Sequence, residues 1–371
     1  MIIDLGIVKY PVFIGTNLLE PFFDEILHSD FCGLVIIDTV VHDLMSKNHK
    51  TYQDINPDNI ICLEGGKQSK TLYALSNIFS RMEKLNLPRS GKIIAIGGGV
   101  IGDIAGLSAS LWYRGSELVH VPTTLLSAVD SCVGGKTAVN FNETINAIGT
   151  YYHPSRIIID TNILTHLPQR EVVSGLGEVA KYCILGNKEL LDIIKSIELD
   201  LVLNDDTIEK IIRLCLIQKA NYVRGDVFEN KKRLFLNLGH TLGHALEINS
   251  MVDGVEQLRH GEAIALGIIA ISKISLKLGK ISNADFQALG GLISRLGLPL
   301  SISPSVFRMK RQDLISRCVE SAFKDKKRTR DKLRLILPHA YTEGCELYET
   351  NSRELLELGL NYVIDEIGGE K

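Results

Sequence analysis

Lys92-Ile-Ile-Ala-Ile96-Gly97-Gly98-Gly99-Val100-Ile-Gly102-Asp103 decides the fold. A short apolar, β-branched run stops at glycines and passes into an apolar helix that runs to Leu111. Such a run, bounded by a glycine turn, reads as a buried strand. The helix start offers unpaired N–H groups and a dipole that favours an anion, and glycines let the backbone approach a pyrophosphate. The spacing is not Gly-x-Gly-x-x-Gly, and no acidic residue stands at the usual place for a ribose. A plain tight turn would use the same residues. Its position between strand and helix favours a nucleotide loop.

Working outward, Leu34–Asp38, Leu118–Val121 and Arg156–Asp160 are further β-rich runs, and Thr71–Leu87 has helical spacing. Strands alternating with helices imply a parallel sheet covered on both faces, with ligands beyond the carboxyl ends of the strands. After Pro168 helical periodicity takes over, over 171–184, 207–224, 261–279, 283–296 and 310–323, with one strand at Leu333–Leu337. The expected architecture is an α/β, Rossmann-like nucleotide-binding domain over 1–165 and an all-α metal- and substrate-binding domain over 166–371.

The 371 residues, 45% apolar and 23% charged, are those of an ordinary globular chain. A formal net charge of -3, with Lys324–Arg330 as the one basic run, gives no reason to expect nucleic acid. Seven scattered cysteines without a Cys-x-x-Cys pair suit a reducing compartment. The N-terminus has no secretory pattern, and the most apolar segment, Ala263–Ile271, is too short for a membrane. A soluble, cytoplasmic protein is expected.

Chemistry-bearing residues recur along the chain. Val121-Pro-Thr123-Thr124 places hydroxyls after a strand, suited to a ribose or nicotinamide. Asp130 and Lys136 bracket a second glycine turn, Gly134-Gly135, where a lysine can bind an anion or simply face solvent. Glu178 and Lys181 share a helix face; alone they would be a surface ion pair, but their neighbours are apolar. In Arg233-Leu-Phe-Leu-Asn237-Leu-Gly-His240-Thr-Leu-Gly-His244 the histidines are four apart on one face, so one can ligate a metal while the other moves a proton. His260-Gly-Glu262 adds a third. Glu178, His240 and His260 make a one-carboxylate, two-histidine set with room for substrate oxygens. Lys136, Lys181, Lys219, Arg233 and a lysine of 324–327 exceed what one metal site needs. They imply a substrate with at least two anionic groups, a carboxylate and a phosphate. A nucleotide, a metal and a dianionic polyol point to oxidation of an alcohol.

From Gly65 to Leu337 the sequence resembles the 3-dehydroquinate synthases, within the sugar phosphate cyclases. The markers are Gly97–Asp103, Arg114-Gly115, Val121–Leu126, Asp130–Asn140, Gly177–Tyr182, Arg233–His244, His260–Glu262 and Asp325-Lys326-Lys327. The resemblance implies that Glu178, His240 and His260 hold a divalent metal, zinc or cobalt. Lys219 and Arg233 match residues that hold the substrate carboxylate. Lys136, Asn146, Asn237, His244 and Lys326 match phosphate and hydroxyl contacts, and Asp130 and Lys181 further substrate contacts. Arg114 matches a residue that reaches the neighbouring subunit's site, which implies a homodimer. Glu229 and His244 match the groups of proton transfer. Asp38, Lys70, Gly98, Gly99, Val100, Asp103, Thr123 and Thr124 match NAD contacts.

The implied reaction turns a phosphorylated sugar acid, 3-deoxy-D-arabino-heptulosonate 7-phosphate, into 3-dehydroquinate and phosphate. Oxidation at C5 by NAD acidifies the C6 hydrogen and permits β-elimination of phosphate. Reduction, ring opening and an intramolecular aldol step follow, with no net redox change. Two positions depart from the family pattern: Lys67 replaces a glutamate that touches the adenosine ribose, and Ile145 a lysine before Asn146. Both bear on NAD affinity, and Lys67 would tolerate a 2′-phosphate. The rival readings are a cyclase acting on a sugar phosphate without a carboxylate, such as a 2-deoxy-scyllo-inosose or epi-valiolone synthase, a metal-dependent polyol dehydrogenase, and a non-catalytic binding protein. The first would leave Arg233 and Lys219 without a partner.

Overall fold

The computed structural model describes the chain except residues 29–30, 143, 198–204, 325–331 and 366–371. It divides into two compact units: Met1–Leu167 with Leu203–Phe228, and Pro168–Val202 with Glu229–Lys371. The helix Asp205–Val223, with Lys219, thus packs in the first unit. A single cut at 165 places it in the second.

In the first unit the strands are β1 (Ile2–Asp4), β2 (Lys9–Gly15), β3 (Gly33–Asp38), β4 (Ile60–Leu63), β5 (Lys92–Gly97), β6 (Glu117–Pro122), β7 (Lys136–Phe141), β8 (Thr144–Tyr151) and β9 (Arg156–Asp160). Seven of them form one sheet in the order β1-β2-β9-β6-β5-β3-β4. All neighbours are parallel except β1 against β2. The central strands are buried nearly end to end, as a sheet covered on both faces requires. The helix Gly99–Leu111 packs on this sheet, and its Ile101, Ile104, Ala105 and Leu107 join Leu34, Ile36, Ile93 and Leu118 in one core. The expected glycine turn therefore sits at the carboxyl end of β5.

β7 and β8 form a separate antiparallel hairpin beyond the second glycine turn. Before it, Ser127–Ser131 is a π-helical turn that carries Asp130. π-turns are rare and frequently mark functional sites.

The second unit is mainly helical: Gln169–Ile184, Lys188–Ser196, His240–Asn249, His260–Lys277, Asn283–Arg295, Arg311–Lys324 and Arg353–Val363. It also holds two small hairpins, β10 (Met251–Val252) with β11 (Val255–Glu256), and β12 (Leu333–Pro338) with β13 (Cys345–Thr350), so it is not wholly α. The helix His260–Lys277 is buried along almost its whole length, through Ile264, Leu266, Ile268, Ile271 and Ile274. Among the described residues no helix is long and apolar enough to cross a membrane.

Candidate active site

Three helices of the second unit meet backbone to backbone, and glycine makes this possible. A Cβ on Gly261 would stand 1.7 Å from the carbonyl oxygen of Ser174, and one on Gly267 would stand 2.0 Å from that of Gly239. A side chain at either point would force the helices apart. The first contact brings Glu178 of Gln169–Ile184 to His260, the first residue of His260–Lys277. The second holds His240 and His244 of His240–Asn249 against the same helix.

The result is a triangle of imidazoles. Ring centroids lie 5.1 Å apart for His240 and His244, 5.6 Å for His240 and His260, and 5.7 Å for His244 and His260. One nitrogen from each lies within 4.8 Å of the others. Glu178 Oε1 lies 3.2 Å from His260 Nε2 and 3.4 Å from His240 Nε2. Charge-assisted N–H···O bonds are about 2.7–2.9 Å, so these contacts are long. Ligands held ~2.0–2.1 Å from a tetrahedral zinc stand roughly 3.3–3.4 Å apart, which is the spacing found. Two donor sets therefore present themselves, the three histidines or Glu178 with His240 and His260. The Glu178 distances favour the second.

Charge points the same way. Glu178 and Lys181 form an ion pair with side chains only 1% and 2% exposed, so this is no surface pair. Burial works against ionisation of Glu178, but Lys181, His240 and His260 outweigh it and hold the carboxyl well below the usual range. Burial likewise opposes a charged His260, yet Glu247 and Glu178 on either side push its imidazolium up to about 10. The two buried carboxylates that hold this proton, Glu178 and Glu247, also favour a divalent cation, which has to displace it.

The other candidates of this unit lie just upstream of His240. Arg233 is buried in the 3-10 turn Lys232–Asn237. Asn237 Nδ2 donates to Glu229 Oε1 at 2.6 Å, which ties together a residue expected on substrate and one expected to move protons. Glu229 has φ of +59°, a left-handed backbone conformation uncommon for a non-glycine residue. His244 is half-buried. Lys326 lies outside the described residues.

In the first unit Gly97, Gly98, Gly99, Asp103, His120 and Lys136 line a cavity. Gly98 has φ of -75°, so crowding rather than dihedral freedom favours glycine here. A Cβ on Gly98 would meet Thr124, and one on Gly99 would meet Ser131 Oγ, each at 3.1 Å. Lys70 Nζ donates to Asp103 Oδ2 and to Asn146 Oδ1, both at 2.5 Å. Asn146, expected among the substrate contacts, thus sits with two residues expected on NAD. Lys219 Nζ donates to the carboxylate and the carbonyl of Asp130, at 2.8 and 2.7 Å. Lys70, Lys219 and Lys136 all lie close enough to Asp103 to act on its charge.

Thr123 Oγ1 is buried and makes no hydrogen bond within the protein, which leaves its hydroxyl to a ligand or a water. Thr124 Oγ1 lies 2.9 Å from Ser127 Oγ. Asp38, at the end of β3, caps the helix Thr39–Asn48 through the N–H of Val40. Val100 is half-buried on the first turn of Gly99–Leu111. Arg114 is exposed in a turn where Tyr113, Arg114 and Gly115 all have positive φ (+46°, +64° and +130°).

Sequence reasoning missed Glu247, whose two carboxylate oxygens are each 3.2 Å from His260 Nδ1. Its signal was present, because His240, His244 and Glu247 follow the i, i+4, i+7 spacing of one helix face. It also left Glu262 without a role. Glu262 accepts the Arg259 N–H at 2.8 Å and caps the helix that His260 opens, while Arg170 clamps the carboxylate at 2.7 and 2.8 Å. His120, buried under Gly102, was read only as part of a strand. Burial pushes its pKa down to about 4, so it is neutral.

The 3-dehydroquinate synthase N-terminal family matches residues 60–174, and the 3-dehydroquinate synthase C-terminal family matches residues 175–328. The 3-dehydroquinate synthase of Natranaerobius thermophilus is 37% identical over 340 residues, which cover 89% of each chain. That of Shewanella halifaxensis is 34% identical over 365 residues, 97% of this chain and 98% of the other. Among solved structures, 2-deoxy-scyllo-inosose synthase complexed with carbaglucose-6-phosphate, NAD+ and Co2+ is 28% identical, with a TM-score of 0.80, over 98% of this chain and 99% of that one. The chain shares its fold with cyclases of more than one substrate, and its sequence lies nearer to one group of them: it belongs to the 3-dehydroquinate synthase family.

Proposed function

We propose that the chain converts 3-deoxy-D-arabino-heptulosonate 7-phosphate into 3-dehydroquinate and phosphate, with NAD and a divalent cation, zinc or cobalt, as resident cofactors. The observation that carries this reading is Glu178 Oε1 at 3.2 and 3.4 Å from two histidine Nε2 atoms, a gap spaced for a cation. Family membership supplies the reaction. When bound, the cation polarises a substrate hydroxyl, and NAD takes up a hydride and returns it within one turnover.

The residues of the chain do the rest. Glu178, His240 and His260 hold the cation. Arg233, buried and always charged, offers a planar fork to the substrate carboxylate, and Lys219 is a second cation for it. Lys136, Asn237, His244 and Lys326 serve the phosphate and hydroxyls, with Asp130 and Lys181 as further contacts. Asn146, held by Lys70, acts beside the cofactor residues as well. Glu229 and His244 handle protons. Asp38, Lys70, Gly98, Gly99, Val100, Asp103, Thr123 and Thr124 contact NAD. Arg114 extends to the site of a second copy in a homodimer.

A phosphate-release assay tests the reading, with the heptulosonate phosphate, glucose 6-phosphate and sedoheptulose 7-phosphate each supplied with NAD. Release from the first alone, abolished by a chelator, is expected. Turnover of glucose 6-phosphate would instead place the chain with the inosose synthases, and accumulating NADH would mean a dehydrogenase.

A further inference from the structure

His240 and His260 each turn Nε2 toward Glu178, but different groups stand behind them. Nδ1 of His240 lies 3.0 Å from the carbonyl oxygen of Leu238, a neutral acceptor. Nδ1 of His260 faces both oxygens of the Glu247 carboxylate at 3.2 Å. Glu247 is only 4% exposed, on the helix that also carries His240 and His244. A buried carboxylate needs compensation, and the His260 imidazole at 3.2 Å is one partner that provides it.

We infer that Glu247 is a positioning residue for the cation site. Its carboxylate accepts Nδ1–H, which fixes the tautomer of His260 with the Nε2 lone pair directed at the cation. Its charge makes that imidazole a stronger donor than His240. The two histidines are therefore unequal ligands, one backed by a carbonyl and one by an anion. Partners behind metal-bound histidines are typically worth ~10–100-fold in metal affinity.

The inference rests on the proposed cation site but not on the identity of the substrate, so its test reads the metal directly. The full chain is loaded with Co2+. Its affinity is measured by competition with a chromophoric chelator, and the coordination by the visible d–d spectrum. Glu247→Gln keeps an oxygen that accepts Nδ1–H but removes the charge. It should bind Co2+ about 10-fold more weakly with a nearly unchanged spectrum. Glu247→Ala also frees the ring to rotate, so both affinity and spectrum should change. Wild-type affinity in the Gln variant would overturn the inference even if the Ala variant did not fold. Failure of the wild-type chain to bind Co2+ would overturn both this inference and the cation site it builds on.

Discussion

The two units each bury charge, and they do it in opposite ways. In the first, the cations already have partners at hydrogen-bonding distance: Lys70 with Asp103 and Asn146, Lys219 with Asp130. In the second, Glu178 and two histidines stand at 3.2–3.4 Å, too far apart to bond well and well spaced to share an ion. The first cluster is complete as a piece of protein and can receive a ligand later. The second also pairs its carboxylate, with Lys181, yet keeps a cation-sized gap between Glu178 and the two imidazoles.

The strongest way to break this contrast is to remove the carboxylate at its centre. Glu178→Gln deletes the proposed carboxylate ligand and breaks the buried ion pair with Lys181, a loss of roughly 3–5 kcal/mol in stability. Activity should fall at least about 1000-fold, since the cation that polarises the substrate is lost. Chelation should lower the Tm of the wild-type protein, because the cation binds the folded state, and should not lower that of the variant further. If chelation left the wild-type Tm unchanged, Glu178 would be an ordinary buried ion pair and the contrast would fail.

Much of the contrast was legible beforehand, for reasons that show where legibility stops. β3, β5, β6 and β9 were readable because a strand buried on both faces is a continuous apolar run. β2 was not, since Pro11 interrupts it. The hairpin β7–β8 was not either, because β8 is largely exposed and its short alternation, Thr144 to Ala147, breaks at Ile148 and Gly149. The candidate ligands were legible by residue type and helix-face spacing; the fold adds that each adjoins a glycine (Gly177, Gly239, Gly261) where helices touch. Periodicity identifies a helix but not the unit it joins, which is why Asp205–Val223 was assigned to the wrong side of a single cut. Glu247 was overlooked for the same reason: a spacing shows the face, and only the fold shows what faces it.

Acid sharpens the comparison from the other side. His120 of the first unit has its pKa pushed by burial from 6.5 to about 4. The unfolded chain therefore takes up a proton that the folded chain refuses. The stability from this group is fully present above pH 6.5 and is lost as pH falls toward 4, by up to about 3 kcal/mol. His120→Gln removes the titration, so between pH 7 and 5 its stability should fall less steeply than that of the wild-type protein. The slopes are compared by urea unfolding with excess metal in both samples, so that any acid-driven loss of the cation is common to them. Equal slopes would show that His120 is protonated in the folded state, and that the first unit is less finished than its ion pairs suggest.

The smallest effect tests a hydroxyl of that first unit. Thr123 Oγ1 is buried without a hydrogen bond within the protein. A buried hydroxyl left unsatisfied costs about 1–3 kcal/mol, whereas one that meets a ligand returns about 0.5–1.5 kcal/mol to binding. Thr123→Val keeps the shape and deletes the hydroxyl. Its stability without cofactor should stay level or rise, while its affinity for NAD, measured by titration calorimetry, should drop roughly 2- to 12-fold. Both signs matter. A purely structural threonine would show lower stability and unchanged affinity, and the first unit would then hold no ligand-shaped gap at this position. A more stable protein that grips NAD less well would mean that the Thr123 hydroxyl is kept for the ligand and not for the fold.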